Sequence, residues 1–188
     1  GNETVVSKDL SDGPLTGLKV LDMTVAVQGP HVGAFLSDMG AEVIKVEPPG
    51  GELNRYARGP GFDYGMEVMG SQQVAMNRGK KSIALDAHTD LGKRVLNELI
   101  KKSDVFVTNY RAEALDRMSL SYDHMRRINE RLIYGRVSGF GTKGKDAEKA
   151  MLDGAAQARG GLAAVSGPVD GPPMPPGAAI ADHSGAMQ

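Results

Sequence analysis

Between residues 18 and 47 the chain changes its hydrophobic period twice, and few folds accommodate that order. Leu18-Lys-Val-Leu-Asp-Met23 is a short β-prone run, and Thr24-Val-Ala-Val-Gln-Gly-Pro30 reads as the turn after it. From His31 to Met39 the apolar residues fall at helical spacing, and Gly40 stands where a helix C-cap is expected. Glu42-Val-Ile-Lys-Val-Glu47 is a second strand, stopped by Pro48-Pro49-Gly50-Gly51. Strand, short helix, glycine, strand is a βαβ unit, which forces a right-handed crossover and parallel pairing.

The alternation continues downstream. Residues 48–81 carry no regular pattern and read as a long loop rich in glycine, arginine and asparagine. Lys81-Ser-Ile-Ala-Leu-Asp86 restores a strand. Thr89 is the expected N-cap of a helix to about Lys102, with Leu91, Val95, Leu96, Leu99 and Ile100 on one face. Asp104-Val-Phe-Val-Thr108 and Leu132-Ile-Tyr-Gly-Arg-Val-Ser138 are further strands, separated by short helices near 112–118 and 121–129. Continuous apolar strand runs interleaved with helices predict a doubly wound, Rossmann-like α/β fold: an open, mainly parallel sheet with flanking helices. The division is a flexible tail over residues 1–13 and one domain over 14–188.

Composition excludes several function classes. A net charge of −1 gives no case for nucleic acid or an anionic membrane as partner. No apolar run approaches the roughly 18 residues that span a bilayer, and no basic-then-apolar leader pattern opens the chain. The absence of cysteine removes disulfides, thiolate metal sites and a cysteine nucleophile, and fits a cytoplasmic setting. The four histidines, at 31, 88, 124 and 183, lack ligand spacing, so no metal is expected.

In open parallel sheets, ligands collect at the carboxyl ends of the strands. Here those ends are Thr24–Gln28, Glu47–Gly51, Leu85–His88, Asn109–Arg111 and Ser138–Gly144, rich in amides, glycines and cations. The first turn is not Gly-x-Gly-x-x-Gly, and neither a P-loop nor a Gly-x-Ser-x-Gly elbow occurs, which disfavours ordinary NAD, NTP or serine-hydrolase chemistry. Glu47 ends its strand as an NAD-ribose acid would, a weak signal by itself. Asn77-Arg-Gly-Lys-Lys-Ser82 is either a solvated basic loop or a phosphate contact through Arg78, Lys80 or Lys81. Asn109-Tyr-Arg-Ala-Glu-Ala-Leu-Asp-Arg117 is either an anion-binding helix start or a surface helix. Asp182, alone among Ala, Ile and Gly, is either a partly desolvated functional carboxylate or a helix N-cap.

Taken in order, these blocks resemble the N-terminal part of the family III CoA-transferases, the formyl-CoA:oxalate and carnitine-CoA type that also includes α-methylacyl-CoA racemases. The blocks are Leu15-Thr-Gly-Leu-Lys-Val-Leu-Asp22, Gly29-Pro30, Gly40-Ala-Glu-Val-Ile-Lys-Val-Glu47, Asn77 to Asp86, Ser103 to Tyr110, Ala114-Leu-Asp-Arg117 and Ser138-Gly-Phe-Gly141. The resemblance implies a CoA-binding domain with CoA or acyl-CoA as substrate and no further cofactor. It also implies a chain of about twice this length and an interlaced homodimer. It carries the catalytic aspartate onto Asp182. The family's CoA contacts fall on Val27 and Gln28, on Leu85, Asp86, Ala87 and His88, and on Asn109, Tyr110, Arg111 and Arg117. They also fall on Lys149, Ala150, Met151 and Leu152.

Departures are Val27 in place of a glutamine, Pro48 in place of an arginine and His88 in place of a lysine. Racemases carry a proton-transferring histidine before the position of Asp153; here Leu152 stands there and cannot move a proton. The resemblance therefore points to CoA transfer between carboxylic acids through an aspartyl anhydride. A racemase or lyase relative, or a non-catalytic CoA-binding subunit, is the alternative. Asp153 either supports the site or caps a helix over Gly154–Val165. His183 is expected to serve local hydrogen bonding or packing.

Overall fold

The computed structural model describes residues 13–56, 69–147 and 149–188. Five strands, β1 (Lys19–Met23), β2 (Glu42–Glu47), β3 (Lys81–Ala84), β4 (Val105–Thr108) and β5 (Ile133–Arg136), form one sheet. The order is β3-β2-β1-β4-β5 and every pairing is parallel. This is the doubly wound arrangement that the period changes predict, with its switch point between β1 and β4. The expected tail over 1–13 lies, but for Gly13, outside the described residues.

Each face of the sheet carries its own core, because successive strand residues point to opposite sides. Leu21, Met23, Val46 and Phe106 meet Leu96 and Ile100 of α3 (Asp90–Lys101), Leu115 of α4 (Ala112–Arg117) and Met125 of α5 (Tyr122–Ile128). On the other face Val20, Val43 and Val107 pack against Val32 and Leu36 of α1 (Gln28–Asp38). Gly40 follows α1 with φ +97°, a left-handed conformation that glycine adopts without strain, and it turns the chain into β2.

Three local expectations change. The first helix begins at Gln28 rather than His31, because Pro30 occupies the third helical position, where no intrahelical N–H donor is needed. The segment 48–81 is not wholly irregular: Leu53–Arg55 makes a 3-10 turn and Ser71–Met76 forms α2. The helix expected over 154–165 is α6 (Asp153–Arg159) followed by a 3-10 turn at Leu162–Ala164. Its N-cap position is Leu152, so Asp153 is not the cap of its own helix.

Thr89 does cap α3, its Oγ1 accepting from the Gly92 N–H at 3.0 Å. Gly92 admits no side chain there, since a Cβ would sit 1.9 Å from the Asp86 carbonyl oxygen. Gly92→Ala is expected to cost about 1–3 kcal/mol through overpacking against backbone that cannot yield cheaply. Urea denaturation of the two proteins checks this; an unchanged midpoint would contradict it.

Candidate active site

Asp182 lies in the first turn of α7 (Ile180–Ala186), a helix packed on both α6 and α1. The N-cap position is Ala179, which has no capping side chain, so Asp182 is not the cap either. The cap comes from elsewhere. The Asp182 N–H donates to Asp153 Oδ1 at 3.0 Å, which satisfies an orphan donor of the helix start. The buried Gln157 amide donates to the other Asp153 oxygen and, at 3.0 Å, to the Ala178 carbonyl. Asp153 and Gln157 thus tie the beginning of α7 to α6.

The Asp182 carboxylate, by contrast, is half-buried and accepts no hydrogen bond from any other described residue. Burial raises its pKa above the ordinary 3.8, the Asp153 carboxylate raises it further, and His183 opposes them. A desolvated carboxylate held by its backbone but not by its oxygens retains reactive lone pairs.

Gln28 at the start of α1 packs so closely on α7 that a Cβ on Gly185 would lie 2.0 Å from its amide nitrogen. Gln28 therefore lies at the seam between α1 and α7, the helix that carries Asp182. Val27 is the N-cap of α1, and the turn before it is clamped on both strands of the switch point. Asn109, after β4, accepts from the Val25 N–H at 2.9 Å and donates to the Val25 carbonyl at 2.8 Å. The Glu52 carboxylate accepts from the Ala26 N–H at 3.3 Å, and Asn54 donates to the Ala26 carbonyl. Ala26, a non-glycine residue at φ +65°, is held in that conformation by both contacts.

The remaining residues carried over by resemblance divide into two groups. Leu85 to His88 follow β3, where Ala87 is buried, Leu85 and Tyr110 pack on the same core, and Asp86 accepts from the His88 N–H at 2.9 Å. Arg111 precedes α4 and Arg117 is its last residue, and both are exposed. Before α6, Lys149 is paired with Asp146 at 2.7 Å, Ala150 and Leu152 are exposed, and Met151 packs against Gly139. Only this last group adjoins Asp153 in sequence.

Of the basic residues in the phosphate-contact reading, Lys80 turns inward and Arg78 stays at the surface. Lys80 is buried, its ammonium donating to Asp22 at 2.6 Å, Pro30 O at 2.7 Å and Asn77 Oδ1 at 2.8 Å, so all its donors are used inside the protein. Burial lowers its pKa, with Asp22 opposing. Arg78 pairs with Asp38 on the surface. Glu47 also turns inward: burial alone would raise its pKa, yet hydrogen bonds from Arg55, Ser82 and the Glu52 N–H bring it down to about 2. It is a structural ion-pair partner rather than a ribose ligand. Among the described residues no cluster of three or more His, Asp or Glu could hold a metal ion.

Sequence reasoning missed Gln157, Glu52, Asn54 and His31, whose roles depend on partners far along the chain.

A parallel 3-2-1-4-5 sheet, with a clamped turn at its switch point, defines a doubly wound, Rossmann-like α/β domain. The chain belongs to the family III CoA-transferases: the family model, CoA-transferase family III, matches residues 15–188. A succinate–glutarate CoA-transferase of Agrobacterium fabrum is 37% identical over 172 residues, covering 90% of this chain and 43% of that protein. A formyl-CoA:oxalate CoA-transferase of Streptomyces avermitilis is 39% identical over 168 residues, covering 89% and 40% respectively. The crystal structure of a CAIB/BAIF family protein from Brucella suis superposes with a TM-score of 0.84 at 39% identity, covering 90% of this chain and 45% of that one. The chain thus spans less than half the length of these relatives.

Proposed function

We propose that residues 14–188 form the CoA-binding part of an enzyme that moves CoA from an acyl-CoA to a free carboxylic acid, with Asp182 as nucleophile. The observation that carries this reading is the half-buried Asp182 carboxylate, which accepts no hydrogen bond from any other described residue and is fixed through its backbone to Asp153. One Asp182 oxygen attacks the thioester carbonyl carbon, the C–S bond breaks and CoA leaves as thiolate, giving a mixed anhydride. The thiolate then attacks the aspartyl carbonyl, which frees the donor acid as carboxylate and leaves an aspartyl-CoA thioester. The acceptor carboxylate attacks the aspartyl carbonyl of that thioester, the C–S bond breaks, CoA leaves again as thiolate and a second anhydride forms. Thiolate attack on its acceptor carbonyl releases the new acyl-CoA and regenerates Asp182.

Val27, Gln28, Leu85 to His88, Asn109 to Arg111, Arg117 and Lys149 to Leu152 are the proposed CoA contacts, in a protein assembled as an interlaced dimer. The test is a transfer assay on the complete protein, with acyl-CoA donors and a panel of carboxylic acids, run in parallel with α-proton exchange in deuterated water. CoA transfer without exchange is expected. Exchange without transfer would replace this reading with racemisation.

Gly185→Ala probes the CoA side of the seam. The added methyl meets only the end of the Gln28 side chain, which can swing away, so stability should change by less than about 1 kcal/mol. The displaced amide should raise the KM for acyl-CoA several-fold; an unaltered KM would remove Gln28 from the CoA site.

A further inference from the structure

We propose that His31 and His183 form a proton-sharing clasp that positions Asp182 by locking α7 onto α1. As a role in catalysis this rests on the transferase reading above. The two Nδ1 atoms are 2.8 Å apart, and the rings meet edge to face with centroids 4.8 Å apart. His31 is also stacked on Phe35 at 4.1 Å, which fixes its ring on α1. His183 is the residue after Asp182, so the ring that grips α1 and the reactive carboxylate belong to one turn of α7. Asp153 holds that turn from α6 through its backbone. The clasp holds it from α1 through a side chain, and α7 is pinned on both sides.

A short contact between two Nδ1 atoms requires that one carries a proton and the other presents a lone pair. One added proton can be accommodated on either outer nitrogen. When both rings are protonated, two N–H donors and two positive charges face each other and the contact must open. The cations beside His31 favour the closed form. Burial lowers the His31 pKa from 6.5, and His183, Arg78 and Lys80 lower it further, while Asp38 opposes them. On the α7 side the neighbouring charges are Asp182 and, from α6, Asp153.

The direction of the pH effect follows. A histidine whose folded pKa is depressed adds stability that is complete above its unfolded value, near 6.5, and is lost as pH falls through the folded one. The clasp is closed at neutral pH and opens in acid.

Two substitutions in the complete protein test this. Asparagine at 183 can donate to neutral His31 Nδ1 or accept from its protonated form, so His183→Asn keeps the link in acid. His183→Leu removes it at every pH. His183→Leu should lower kcat roughly ten- to hundredfold through misplacement of the carboxylate, and His183→Asn should rescue most of that loss. The wild-type acid limb of kcat below about pH 6.5 should flatten in His183→Asn. Independently of turnover, thermal melts from pH 5 to 8 should show the wild type losing stability relative to His183→Asn as the pH falls. Parallel melting curves, or a His183→Leu enzyme with wild-type kcat, would overturn the clasp. A complete protein that transfers no CoA would overturn the transferase reading instead, and the melting curves would still decide the clasp.

Discussion

Asp182→Asn in the complete protein is expected to abolish CoA transfer, with kcat/KM falling by about a thousandfold or more, because an amide cannot form the anhydride. The same substitution is expected to make the protein more stable at neutral pH. Burial and the Asp153 carboxylate raise the pKa of Asp182, so its charged form is less favourable folded than unfolded. Stability tied to this group is therefore complete below the ordinary value of 3.8 and declines as pH rises through the raised folded value. Asparagine carries no such penalty. The gap in melting temperature between Asn and Asp should be largest near neutrality and close in acid. Activity lost together with stability would point to a structural carboxylate; activity lost while stability rises marks a group strained for function.

The second large effect is on folding. Lys80→Ala is expected to destabilise the protein by about 3–5 kcal/mol, a large part of the 5–15 kcal/mol typical of a domain. The Lys80 and Asp22 side chains are 1% and 0% exposed, and the ammonium also binds Pro30 O and Asn77. Its removal leaves the Asp22 carboxylate buried without its ion-pair partner, a costly state for a charge. A double replacement, Asp22→Leu with Lys80→Met, removes both charges and should recover most of the loss. Urea denaturation of the single and double variants measures both. A loss below about 1 kcal/mol for Lys80→Ala would show that the pair is solvated.

The pair also illustrates what local pattern can and cannot convey. Lys80 sits in a basic hexamer and looks like a surface cation, because its partner Asp22 lies 58 positions upstream on another strand. Asp153 looks like a cap of the helix it begins, yet it caps α7, 29 residues on. His31 and His183 are 152 residues apart and share no spacing that could announce them. Segment 48–81 read as irregular because its order is imposed by tertiary contacts such as Arg55 with Glu47 and Asn77 with Glu52. By contrast the five strands, the Thr89 cap and the Gly40 stop were legible, since each depends on residues within one turn or one strand. The role assigned to Asp182 came from the order of distant blocks, since Ala, Ile and Gly around it fit a cap equally well.

The central claim is covalent chemistry at Asp182, and adduct mapping tests it most directly. The complete protein is incubated with acyl-CoA, trapped with hydroxylamine or borohydride, digested and mapped by mass spectrometry. The expected result is a hydroxamate or reduced side chain at Asp182, dependent on acyl-CoA and absent from Asp182→Asn. CoA transfer that proceeds with Asp182 unmodified, or with the adduct on another residue, would contradict the account.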